Sequence, residues 1–173
     1  MKVRLVTDGA CSGNPGPASF GYVLYDEAGG VLASRGEPIG HGTNNVAEYR
    51  ALLAGLAAAE EAGADEVEVA ADSQLMVRQI RGEYRVKNPS LQRLFGQAIL
   101  ALARFRRWSV TDVPRNDIRE ADRLARRALK TGAVVREPPC VEGPEERTGK
   151  GGADKSGSRR RARPRRVRRS ARR

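Results

Sequence analysis

Hydrophobic and polar positions alternate along the first 40 residues in a way that predicts three strands. Residues 3–7 are rich in β-branched and aliphatic side chains, and Gly, Asn and Pro cluster in a turn after Asp8. Residues 19–26 place Phe20, Tyr22 and Leu24 at alternate positions, and residues 31–39 are predicted to pair back against them across a turn that contains Gly-Gly. The chain is therefore predicted to begin with an antiparallel meander.

The pattern then changes to a mixture of helical and strand periodicities. Ala and Leu recur at helical spacing in residues 46–62, between capping residues and Gly63. Further segments predict a strand at 65–71, helices at 72–81 and 88–105, a strand at 108–113 and a helix at 117–130. The order β-β-β-α-β-α-α-β-α indicates an α/β domain with a central five-stranded mixed sheet flanked by helices.

Charge divides the chain at about residue 132. The protein has 173 residues and a formal net charge of +11. Residues 1–132 contain 18 basic and 16 acidic residues, whereas residues 133–173 contain 14 and 5. Because the second segment is rich in Pro, Gly and Arg and has no regular apolar spacing, we predict a folded domain at 1–132 and a disordered basic tail at 133–173.

The end of that tail has the composition of a nucleic-acid anchor. Residues 155–173 contain 11 basic residues and no acid, and such a run binds phosphates tightly, in a salt-sensitive way and without regard to sequence. A tail that only aids solubility is the alternative.

Cysteine usage and apolar content indicate the compartment. Cys11 and Cys140 are too few for a disulfide framework, and no apolar run approaches the roughly 20 residues that span a bilayer. No N-terminal apolar segment suggests export. We expect a soluble, monomeric protein of the cytoplasm, with no membrane partner.

Isolated acids lie at or near the boundaries of the predicted elements. They are Asp8 after the first strand, Glu48 one turn inside the long helix, Asp72 after the fourth strand and Asp122 early in the last helix. Brought together, such acids could not all stay ionised without cations, and hard divalent ions accept carboxylate oxygens. Two ions about 4 Å apart can drive in-line displacement at phosphorus. Taken alone, each acid also suits a structural role, as a cap, a solvated helix residue or a partner of the helix dipole, so spacing does not decide.

Four segments around these acids resemble the signature segments of type 1 ribonuclease H. In the order of that family they are TDGACSGNPGP at 7–17, TNNVAE at 43–48, ADS at 71–73 and EADRLA at 120–125, and the resemblance covers residues 2–131. It implies a ribonuclease H-like fold and an endonuclease that hydrolyses the RNA strand of RNA–DNA hybrids, leaving 5′-phosphate and 3′-hydroxyl ends. It also implies that two Mg²⁺ ions, with Mn²⁺ as a substitute, are bound by the catalytic acids Asp8, Glu48, Asp72 and Asp122.

The same resemblance implies a set of substrate contacts. Asn14, Asn44 and Asn45 match positions near the RNA 2′-hydroxyls and Thr43 matches a contact to a DNA phosphate, while Gly9 and Cys11 complete the set. Amide and main-chain groups suit a 2′-hydroxyl, because it both donates and accepts hydrogen bonds. Helix capping is the alternative role for residues 43–45.

Three features depart from the family pattern. Residues 112–119 lack the usual His, the single His of the chain being His41, so we expect chemistry without histidine assistance. Residues 81–89 are too few for an extra basic helix, and we expect no N-terminal hybrid-binding domain. Basic residues near that short segment either grip the hybrid or form a solvated face; they are Arg78, Arg81, Arg85 and Lys87.

A non-catalytic nucleic-acid-binding module, anchored by its basic tail, is the alternative function. The presence of all four acids favours the enzyme. Action on single ribonucleotides or on double-stranded RNA stays open.

Overall fold

Five strands and four helices make up the computed structural model, which describes residues 1–138. The strands are β1 (Lys2–Cys11), β2 (Gly16–Tyr25), β3 (Val31–Gly42), β4 (Glu66–Ala71) and β5 (Arg107–Asp112). The helices are α1 (Asn44–Glu61), α2 (Gln74–Ile80), α3 (Pro89–Leu102) and α4 (Arg119–Thr131), with a 3-10 turn at Arg115–Ile118 before α4. Among these helices, none has the length and apolar character needed to cross a membrane.

The strands form one mixed sheet in the order β3-β2-β1-β4-β5. The first three strands pair antiparallel as a meander, whereas β1, β4 and β5 run parallel to one another. Thr7 of β1 pairs with Ala71 of β4, and the parallel pairing of these two strands ends there. The residues that follow, Asp8 and Asp72, therefore lie side by side. The register of two central strands therefore brings two acids together.

Alternate residues of β1 enter separate cores on the two faces of the sheet. Val3 and Leu5 pack into the larger core, which α1, α2 and α3 cover. Val6 points to the opposite face and packs with Ile118 and Ala121 beneath α4. This two-sided arrangement confirms the predicted α/β class and the five-stranded mixed sheet.

The first strand is longer than its composition predicts. Asp8 does not end β1, because the ladder continues through Cys11, with Asp8 paired to Gly21 and Cys11 to Ala18. The turn predicted directly after Asp8 is confined to residues 12–15. Pairing with β2 therefore overrides the local preference of Gly9 for a turn.

The first residues of the predicted tail pack against the sheet. Val135 forms a two-bond bridge with Gly36 of β3, with both N–H···O distances at 2.8 Å. Glu137 exchanges hydrogen bonds with the Ser34 hydroxyl, and its carboxylate pairs with Arg123 of α4. Residues 133–138 thus belong to the folded domain, which does not end at 132. The rest of the predicted tail, residues 139–173 with Cys140, lies outside the described residues.

Candidate active site

Three of the predicted acids converge at the point where β1 passes the end of β4. Asp8 of β1, Glu48 of α1 and Asp72 after β4 each offer a carboxylate oxygen, and these oxygens lie within 4.8 Å of one another. Asp8 and Glu48 are each only 2 % exposed. The structure therefore brings together residues 64 positions apart in the chain as one acidic cluster, in which Asp8 and Glu48 are buried and Asp72 is partly exposed.

Glycine at position 9 allows α1 to approach β1 closely enough to deliver Glu48. An added Cβ at Gly9 would overlap the main chain of Ala47 and Glu48. Helix α1 begins at Asn44 because Thr43 caps it. The Thr43 hydroxyl accepts a hydrogen bond from the Val46 N–H at 3.2 Å. Close packing and capping together fix Glu48 beside Asp8.

The fourth acid, Asp122, reaches the cluster from the opposite face of the sheet. Helix α4 lies directly on Gly21 and Gly36, where an added Cβ would meet the main chain of Ala121 and Leu124. The Asp122 Oδ1 atom accepts hydrogen bonds from Arg115 Nη2 at 2.9 Å and Arg126 Nε at 2.8 Å. Two arginines thus hold Asp122, whose side chain is 22 % exposed.

Burial and mutual repulsion make the central carboxylates hard to ionise. Burial, the Asp72 charge and the interaction with Asp122 raise the pKa of Asp8 to about 8. Burial followed by the charges of Asp8 and Asp72 raises the pKa of Glu48 well above its ordinary value, although the Gly9 N–H and the Asn44 side chain oppose the shift. Such a cluster attracts cations.

The pKa of Asp122 is shifted in the opposite direction, below its ordinary value. Partial burial works to raise its pKa, but hydrogen bonds from Arg126 and Arg115 and the one shared with Asp8 outweigh burial and lower it. Within one site, the environment therefore favours a proton on Asp8 and a charge on Asp122.

Two oxygens of the cluster fit the requirements of a bound cation. Asp8 Oδ2 and Glu48 Oε2 are buried and have no hydrogen-bond partner within residues 1–138. A buried carboxylate oxygen without a donor is costly unless a cation satisfies it. An all-oxygen donor set is the kind preferred by hard divalent metals, so the residues present fit such an ion.

The predicted substrate contacts gather beside the cluster, at the N-terminus of α1. Asn14 Oδ1 accepts a hydrogen bond from the Asn44 N–H at 3.2 Å, which links the β1–β2 turn to the helix. Thr43 caps the helix, and Asn45 lies half-buried in its first turn. The Cys11 thiol donates to the Gly42 carbonyl at 3.4 Å. Capping by Thr43 is observed, and the contacts of this set to nucleic acid stay a prediction.

The arginines that hold Asp122 were not among the predicted site residues. Arg126 lies four positions after Asp122 on α4, a spacing that favours an ion pair and could have been found. Arg115 has no comparable signal, because it lies in the 3-10 turn before α4, seven residues from Asp122 and outside the helical pair spacings.

The basic residues near the short segment at 81–89 divide into two groups. Arg78 lies over the Tyr84 ring, 5.3 Å from its centroid, and Arg81 Nε donates to the Val110 carbonyl at 2.9 Å. Arg85 and Lys87 are exposed and form no ion pair with any residue in 1–138. Half of the predicted basic group is therefore engaged within the fold.

Comparison with known proteins gives one consistent result. Residues 6–128 match the family model described as "Reverse transcriptase-like". The chain is 45 % identical over 128 residues to the Ribonuclease HI of Halobacterium salinarum. The aligned region covers 74 % of this chain and 64 % of that relative. The chain thus spans about two thirds of the length of that curated relative.

Two solved structures agree with the sequence match. The crystal structure of RNase H1 from the halophilic archaeon Halobacterium salinarum has a TM-score of 0.74 and 44 % identity, covering 76 % of this chain and 99 % of that one. LC11-RNase H1, solved in complex with RNA/DNA hybrid, has a TM-score of 0.71 and 38 % identity, covering 75 % and 98 %.

Proposed function

This chain belongs to the type 1 ribonuclease H family, and from that premise we propose that it is an endonuclease that hydrolyses the RNA strand of RNA–DNA hybrids. One observation carries the proposal: the carboxylate oxygens of Asp8, Glu48 and Asp72 lie within 4.8 Å of one another. Asp122, the acid of the fourth family segment, interacts with Asp8 beside them.

The four acids would hold two divalent ions, with Mg²⁺ as the native metal and Mn²⁺ as a substitute. Bound at such a site, divalent ions supply an activated water and stabilise charge on the leaving oxygen at phosphorus. The chain's own residues prepare the ligands: Asn44 supports the charged form of Glu48, and Arg115 and Arg126 keep Asp122 ionised and oriented. The products of the proposed reaction carry 5′-phosphate and 3′-hydroxyl ends.

Recognition of the hybrid is assigned to the N-terminus of α1 and the adjoining turn. Asn14, Thr43 and Asn44 lie together there beside Glu48, and amides can satisfy both the donor and the acceptor of a 2′-hydroxyl. A relative 38 % identical to this chain, LC11-RNase H1, has been solved in complex with RNA/DNA hybrid, which supports the same partner here. The site is expected to read sugar and shape, with little preference for base sequence.

The basic run at 155–173 is proposed to anchor the enzyme on nucleic-acid phosphates. We also propose that the enzyme is a cytoplasmic monomer. Light scattering of the purified chain and microscopy of a tagged chain test these two points.

A cleavage assay tests the proposed function. The full chain is incubated with end-labelled RNA–DNA hybrid, duplex DNA, duplex RNA and a duplex with a single ribonucleotide, with Mg²⁺, with Mn²⁺ or with EDTA. We expect metal-dependent cutting of the RNA strand of the hybrid and none in EDTA. Binding of the hybrid without cleavage would support the alternative of a non-catalytic module, and cleavage of duplex RNA alone would overturn the substrate.

A further inference from the structure

The stretch that runs from α2 through α3 carries an excess of positive charge. Residues 74–103 contain five basic residues and one acid, although residues 1–132 are close to neutral. Arg93 is the only charged residue of α3. This stretch packs on the α1 side of the sheet, and Arg93 is not among the basic residues already considered as hybrid contacts.

A groove between α1 and α3 presents two arginines from opposite walls. Leu94 and Val46 form its apolar floor, and exposed polar side chains form its rim. The rim residues are Arg50 from α1 and Ser90, Arg93 and Gln97 from α3.

Neither rim arginine has an acidic partner in residues 1–138. Eight of the sixteen arginines in residues 1–138 do have one, and Arg104 shows the contrast. It lies just beyond the other end of α3 and pairs with Glu60 of α1 at 2.8 Å. The same pair of helices is therefore held by an ion pair at one end and has two uncompensated guanidinium groups at the other.

The groove continues the proposed substrate surface along α1. Thr43, Val46 and Arg50 are spaced by three and four residues, so they lie on one face of the helix. Arg50 is about 10 Å further along the helix axis than Thr43, at 1.5 Å per residue. A nucleic-acid strand that contacts Thr43 at the helix N-terminus can extend along this face into the groove.

On the basis of the proposed function, we propose that the α1–α3 groove binds a backbone phosphate of the RNA–DNA hybrid away from the cleaved bond. Arg50 and Arg93 contact the phosphate oxygens from the two walls, because the planar guanidinium matches phosphate geometry. Ser90 and Gln97 supply neutral hydrogen-bond donors at the rim. Such a contact fixes the register of the duplex and carries no sequence information.

Salt-dependent binding tests this groove. The full chain carrying Asp8→Asn, which prevents cleavage, is titrated against fluorescein-labelled RNA–DNA hybrid at several salt concentrations, alone and with Arg50→Gln, Arg93→Gln or both. Arg104→Gln is the matched control, since it removes the same charge just beyond the other end of α3. Thermal denaturation of each variant verifies folding.

We expect each groove substitution to weaken binding roughly five- to tenfold at 0.1 M salt and to lower the slope of log Kobs against log salt by about one unit. Arg104→Gln should change neither quantity by more than about twofold. A double variant that binds like the Arg104→Gln control would overturn the groove. The two proposals can fail separately. If the groove variants bind hybrid more weakly but the unmodified chain does not cleave it, the proposed function is wrong and the groove is still a phosphate-binding site.

Discussion

The main-chain nitrogen of Glu48 lies 2.7 Å from the point where a Cβ atom on Gly9 would stand. A non-hydrogen atom at that distance would force β1 and α1 apart. The position of one acid in the cluster therefore depends on the absence of a side chain on the neighbouring strand.

Gly9→Ala should destabilise the protein by about 1–3 kcal/mol and abolish hybrid cleavage, because the clash is with main chain that cannot rotate away. Gly96→Ala is the control: this glycine lies inside α3 with nothing within 4 Å of an added Cβ. That change should stabilise the protein by roughly 0.5–1 kcal/mol with full activity. Urea denaturation and cleavage assays measure both; a Gly9→Ala protein of normal stability and activity would contradict the close packing.

Glu48→Gln should lower kcat for hybrid cleavage roughly 10³-fold, equivalent to about 4 kcal/mol, because a neutral amide oxygen binds a divalent cation more weakly than a carboxylate does. The metal-free variant should be at least as stable as the unmodified protein, since a buried repulsive charge has gone. Glu61→Gln, an exposed change on the same helix, should alter neither property. If the two variants cleaved hybrid with the same kcat, Glu48 would not be a ligand of the catalytic metal.

The stability of the metal-free protein should fall as the pH rises from about 4 to about 8. The unfolded Asp8 carboxyl loses its proton near 3.8, whereas burial raises its pKa in the folded protein to about 8. Between these values the folded state binds more protons, so the free energy of unfolding decreases with rising pH. Asp8→Asn should flatten this profile in EDTA and be the more stable protein at pH 8. Parallel profiles for the two proteins would show that Asp8 is not perturbed.

Truncation after residue 132 should lower stability more than truncation after residue 138. The shorter chain loses the Val135–Gly36 bridge and the ion pair of Glu137 with Arg123, which together are expected to contribute about 1 kcal/mol. Both truncations remove the basic run at 155–173, so both should flatten the salt dependence of hybrid binding. Melting curves and anisotropy titrations measure these effects, and a salt slope equal to that of the full chain would refute the anchor.

The main features of the fold could be predicted from local patterns, because strand alternation, the Ala-rich helix and its capping residues act locally. The extension of β1 through Gly9 and Cys11 could not, since it depends on pairing with residues 18–21 across the sheet. The same holds for Val135, whose main chain finds its partner on β3, about 100 residues earlier in the chain.

The acids of the site could be predicted because the segments that carry them resemble a family. Their environment could not be predicted in this way. Burial of Asp8 and Glu48, the turn that brings Arg115 to Asp122, and the groove between α1 and α3 all arise from the packing of separate elements. Sequence spacing indicates one of these contacts, the pair of Asp122 with Arg126 on one helix.

Helix α4 is the last helix of the described domain. It contains Asp122 and packs directly against the main chain of Gly21 and Gly36. During synthesis Asp122 is added after Asp8, Glu48 and Asp72, so a nascent chain that has not reached α4 lacks the fourth acid. The acidic quartet is then one member short. The four acids can therefore be complete only after every strand of the described sheet has been synthesised.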